Sequence, residues 1–157
     1  MAQGRARSFA FIFYNFRDEA IRKILKDQGV FAELDRLSGN RLSIFYLHNG
    51  SKASVEAFNK HFVGALGIKE EVILPCVVFF RADKGKIVDV TIAELDNADL
   101  IHGFRELYGV VEEFLAGKPP GDTTPSRAIR WVKASVKFLT VEVFRAALKK
   151  GIELLYS

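Results

Sequence analysis

Ile73-Leu74-Pro75-Cys76-Val77-Val78-Phe79-Phe80-Arg81, then Ala82-Asp83-Lys84-Gly85, then Lys86-Ile87-Val88-Asp89-Val90-Thr91-Ile92, is the stretch on which the fold turns. Proline has no N–H to give to a sheet ladder, so it stands at the first residue of a strand and not in its middle. An X-Pro bond at such a place is also a candidate for the cis form. The run after Pro75 is strongly apolar. Asp83 and Gly85 mark a tight turn, and the chain then returns alternating apolar with polar or small residues. The spacing predicts a hairpin entered through a proline.

The flanking elements are read from period and caps. Ser8-Phe9-Ala10-Phe11-Ile12-Phe13-Tyr14 is short, aromatic and apolar on both faces, as a buried strand is. Asn15 is expected to cap a helix, with Asp18 three residues on. Ala20, Ile21, Ile24, Leu25 and Val30 or Phe31 follow at helical spacing. Phe31, Leu34 and Leu37 either prolong that helix or form a short second one. Residues 41–47 read as a second strand, ended by His48-Asn49-Gly50. Ser51 or Ser54 opens a helix whose apolar face is Val55, Phe58, Phe62 and Leu66, with Gly67 at its stop. Asn97-Ala98-Asp99 opens another, with Leu100, Ile101, Phe104, Leu107, Val111, Phe114 and Leu115 as its stripe. Gly117-Lys118-Pro119-Pro120-Gly121 ends it as a linker.

The order β-α-β-α, proline, β-β-α places the chain in the α/β class, with a parallel pair followed by an antiparallel hairpin. Over about residues 8–117 it resembles the thioredoxin superfamily. That resemblance implies a mixed sheet and an active corner where the first helix begins, beside the proline. In redox-active members Cys-x-x-Cys opens that helix, whose N-terminus lowers the pKa of the first thiol. The matching positions here are about Asn15-Phe16-Arg17-Asp18, or one residue on, and carry no thiol. The resemblance therefore implies a redox-inactive domain used for protein–protein interaction or assembly. The residue before the proline can pair by its backbone with an extended peptide. Phe16, Arg17, Leu74 and Pro75 are accordingly the expected partner-binding residues.

The single cysteine, Cys76, excludes an intramolecular disulfide and fits a reducing, cytoplasmic setting. A thiol-dependent redox protein or sensor using Cys76 alone is the alternative function. Against it, the neighbours are Leu74, Val77 and Val78, with no cation to stabilise a thiolate, and free cysteine is commonly a small core residue. His48, His61 and His102 lie far apart without metal-ligand spacing, so no metal is expected. No Gly-rich phosphate loop occurs, no cofactor is expected, and no acid–base pair stands out. The reading leans away from catalysis. Neither a secretory signal nor a membrane-length apolar run is read at the start of the chain.

The charge is unevenly placed. Residues 1–118 hold 16 Lys and Arg against 16 Asp and Glu, whereas residues 119–157 hold 7 against 3, which accounts for the net +4. The sequence thus divides into a neutral domain over 1–118, a linker over 119–125 and a basic amphipathic tail over 126–157. Thr124 and Pro125 form a helix start. Ile129, Val132, Val136, Leu139 and Val143 recur at 3,4 spacing, and Arg127, Arg130, Lys133 and Lys137 lie on another face. Trp131 and Phe138 share a third direction. Beyond Thr140-Val141 the pattern blurs, which marks a break between two helices. Four roles fit the tail: helices folded back on the domain, self-association or docking of a protein partner, binding to a membrane surface, and binding of nucleic acid through the basic face. For the last, only the basic residues speak.

Overall fold

The computed structural model describes residues 7–26, 42–47, 51–66, 68, 73–96, 106, 109, 111–112, 114–116, 129–133 and 140–155. Its strands are β1 (Arg7–Phe13), β2 (Leu42–Phe45), β3 (Cys76–Asp83), β4 (Lys86–Leu95) and β5 (Ile129–Lys133). Its helices are α1 (Glu19–Lys26), α2 (Lys52–Ala65) and α3 (Val141–Leu155). Residues 106, 109, 111, 112, 114 and 115 are also helical. The strands form one sheet in the order β2-β1-β3-β4-β5. β1 runs parallel to β2 and antiparallel to β3, and β3 and β4 form the expected hairpin. Lys84 and Gly85 both have positive φ, 49° and 79°, as a two-residue hairpin turn of matching twist requires. The Leu74–Pro75 bond is cis.

The alternation of strand residues divides the core between the two faces of the sheet. One face carries Ala10, Ile12, Val77, Phe79, Ala93 and Leu95, covered by Ile21 of α1 and by Val111 and Phe114. The other carries Phe11, Phe13, Val78, Phe80 and Ile92, covered by Phe58 and Phe62 of α2 and Phe144 of α3. β1 is buried on both faces, which is why its sequence shows no alternation. The expected face of α2 is the one that packs, and Ser51 caps it, its Oγ accepting the Ser54 N–H at 3.2 Å.

Three expectations are corrected. First, α1 begins at Glu19, not next to Asn15. Asn15 to Asp18 close a turn, the Asp18 N–H donating to the Asn15 carbonyl, and Asp18 itself accepts the first helical bond, from the Arg22 N–H at 3.2 Å. Second, the tail is not helical from Pro125 onward. Ile129–Lys133, with Arg130, Trp131 and Val132 between, is a strand paired antiparallel with β4, Ile129 opposite Leu95 and Lys133 opposite Thr91. This five-residue run of Ile, Trp and Val fits a strand as well as a helix, and the free edge of β4 offers it a full ladder. Third, the boundary at residue 118 does not set the tail apart: of the four roles that fit it, folding back on the domain is the one that α3 follows. The Val141 N–H donates to the Gly85 carbonyl at 2.9 Å and Phe144 is buried against Phe11 and Phe80. Thr140 caps α3, its Oγ1 accepting the Val143 N–H. The expected break at Thr140-Val141 is thus a helix start. Arg127, Val136, Lys137 and Leu139 lie outside the described residues, as do His48 and His102. Val143 stands on the exposed side of α3.

Close approach of α2 and α3 depends on Gly151. A Cβ there would stand 2.7 Å from His61 Cδ2 and 2.7 Å from Phe62 Cζ, while His61 Nε2 donates to the Ala147 carbonyl at 2.7 Å. Gly64 on α2 has no such neighbour within 4 Å among the described residues. Gly-to-Ala in a helix ordinarily gains up to about 1 kcal/mol, but overpacking costs about 1–3 kcal/mol. The expected outcome is opposite signs: Gly64→Ala raises the urea midpoint and Gly151→Ala lowers it. Midpoints that move together would contradict the packing at Gly151.

A candidate recognition corner at the start of the first helix

β1 delivers its last residues to a turn that four hydrogen bonds frame. The Tyr14 hydroxyl donates to the Leu47 carbonyl at 2.6 Å, tying the end of β1 to the end of β2. Burial pushes the Tyr14 phenol above its ordinary range, with the Arg22 charge pulling the other way. Asn59 of α2 donates its Nδ2–H to the Tyr14 carbonyl at 2.7 Å. Asp18 Oδ2 accepts the Asn15 N–H at 3.1 Å. Arg22 donates to the Phe16 carbonyl at 3.2 Å and lays its guanidinium 4.3 Å from the Phe16 ring centroid. Phe16 is thereby half-buried, held between Arg22 and the core, and Arg17 is left exposed at the apex.

This turn and α2 enclose a cleft of about 460 Å³ lined by Asn15 to Asp18, Lys52, Val55, Glu56 and Asn59. Its walls mix an aromatic ring, a valine and charges of both signs, and Asn59 Oδ1 at its edge is buried with no hydrogen-bond partner among the described residues. Of this lining, Phe16 and Arg17 are among the residues expected from the sequence; Lys52, Glu56 and Asn59 are not, because they lie on the polar side of a helix whose sequence signal is its core face.

Leu74 and Pro75 do not line that cleft. The pairing of Phe13 with Cys76 brings them to the same end of the sheet. Phe16, however, packs with the α1 face and Leu74 with the α2–α3 face. The expected group of four is therefore two neighbouring features, a framed turn and a cis-proline corner, on either side of one sheet end.

Cys76 is 0% exposed, opposite Phe13 on one side and Glu94 on the other. Burial, and secondarily the Glu94 charge, push its thiol far above the ordinary thiol range. A thiol so placed stays protonated and out of reach, the reverse of what a nucleophilic or sensing cysteine needs. His61 is a satisfied helix residue, through Ala147. Among the described residues no cluster of three His, Cys, Asp or Glu could hold a metal ion, and no helix is long and apolar enough to cross a membrane.

Compared with protein-family models, with curated proteins and with solved structures, the chain matches none.

Proposed function

We propose that this chain is a thioredoxin-like domain without dithiol chemistry that serves as a protein-interaction or assembly module. The fold reading is supported by the order β2-β1-β3-β4, its parallel and antiparallel pairings and the cis-proline at the head of β3. The observation that carries the functional reading is the turn Asn15 to Asp18. At the place where thiols would act stands a rigidly framed turn that presents an exposed guanidinium beside a cleft. Arginine and aromatic side chains held in fixed geometry are the usual anchors of protein recognition. The one cysteine is sealed in the core, so thiol exchange is not the activity this geometry favours.

The test uses a carboxymethylated, permanently unfolded polypeptide as ligand for the full chain. Its addition is expected to shift the amide resonances of residues 15–18, 73 and 74, and Arg17→Glu is expected to weaken the affinity about tenfold, a typical hot-spot effect. In the same sample Cys76 is expected to resist alkylation until the protein unfolds. Catalysed reduction of insulin by the wild type, lost in Cys76→Ser, would overturn the reading. So would peptide-induced shifts confined to other surfaces.

A further inference from the structure

Glu94 is an ionisable residue inside a continuous buried run of β4, 6% exposed, between Ala93 and Leu95. Its Oε2 accepts the Ile73 N–H at 2.7 Å, across 21 residues of sequence. The next residue of β4 grips the same segment from the other side, the Leu95 N–H donating to the Pro75 carbonyl at 2.9 Å. Between these two anchors lies Leu74, whose backbone N–H and C=O have no hydrogen-bond partner among the described residues. The Ile73 side chain stands 56% exposed next to it. A carboxylate is costly to bury unless its hydrogen bonds repay the loss of water. Here one of its oxygens holds the backbone of a loop. On β5 the position in register with Glu94 is Arg130.

We propose that Glu94 is the positioning residue of the cis-proline corner. With Leu95 it clamps the backbone on both sides of Leu74, so that the free N–H and C=O of Leu74 present a ready pair to one residue of an extended peptide, while Ile73 offers an apolar contact beside them. Fixing a backbone in its bound form lowers the ordering cost of association, and a strand-like partner takes its affinity from such main-chain pairs. This inference rests on the peptide-recognition reading above and adds a residue that acts through the loop without touching the ligand.

Glu94→Gln keeps an acceptor for the Ile73 N–H and Glu94→Leu removes it. In the full chain Glu94→Leu is expected to speed hydrogen exchange of the Ile73 amide about tenfold or more, the loss expected for a charge-assisted bond. It is expected to weaken binding of the carboxymethylated polypeptide by a similar factor. Glu94→Gln is expected to stay near the wild type in both. The wild type alone is a first check, because an Ile73 amide that exchanges at the rate of an open loop would overturn the clamp even if Glu94→Leu failed to fold. Unchanged Ile73 exchange in Glu94→Leu would also overturn it. Faster exchange with unchanged peptide affinity would overturn its role in recognition. A wild type that does not bind the polypeptide at all would instead sink the peptide-recognition reading, leaving the clamp to be judged by the Ile73 amide.

Discussion

A chain ending at residue 118 is expected not to fold as a soluble monomer, although its sequence holds every element of the β-α-β-α-β-β-α order. Removal of residues 119–157 takes away β5 and α3 together. β4 then becomes a ten-residue edge strand, and its buried residues Val90 and Ile92 lose the cover of Phe144. Long apolar edges template pairing with other chains. The loss is also too large to absorb. Deleting one buried phenylalanine side chain costs about 3–5 kcal/mol, and a domain of this size has about 5–15 kcal/mol in all. Size exclusion with light scattering is expected to give aggregate for residues 1–118, with little near-ultraviolet circular dichroism. A well-folded monomeric truncation would show instead that the tail is separable, and would return self-association to the front of its possible roles.

The contrast between the two halves of the chain shows what sequence can and cannot disclose. β1, the β3–β4 hairpin and α2 were legible because each carries its signal locally. β1 has a two-faced apolar run, the hairpin has Pro75 and Gly85, and α2 has Val55, Phe58 and Phe62 under a Ser51 cap. β5 was not legible, because Ile129-Arg130-Trp131-Val132-Lys133 satisfies both periods over so short a run. What selects the strand is the vacant edge of β4, more than thirty residues earlier. The start of α1 is ambiguous for a local reason. Asn15 and Asp18 are both good caps by residue type, and the turn closed by the Asp18 N–H on the Asn15 carbonyl puts the first helical bond on Asp18. The candidate corner is half legible. Phe16, Arg17 and Leu74 followed from the resemblance, but the cleft wall comes from α2, some forty residues away. Glu94 did leave a trace, as the one acidic residue in Val90-Thr91-Ile92-Ala93-Glu94-Leu95. Its meaning depends on the Ile73 N–H, which the sequence does not place.

Phe11→Ala is expected to be the most destabilising single substitution in the ring cluster. Phe11 is 1% exposed, and its ring lies 5.0 Å from Phe45, 5.5 Å from Phe62 and 5.9 Å from each of Phe13, Phe80 and Phe144, by centroids. It therefore joins β1 to β2, β3, α2 and α3 at one point. Truncating it removes the transfer energy of a full phenyl group and leaves a cavity whose walls are themselves rings, locked by one another and unable to close in. The expected cost is about 3–5 kcal/mol, a range that already contains the lost ring pairs, whose number puts Phe11 toward its upper end. Phe45→Ala is the internal control. Phe45 belongs to the same cluster but stands on the edge strand β2 with 37% of its surface exposed, so its removal opens a notch to water in place of a cavity. Urea unfolding with unchanged m-values is expected to show the Phe11 loss at more than twice the Phe45 loss. Equal losses would mean that the cluster relaxes around either gap, and that the tail helix is not fixed to the sheet through Phe11.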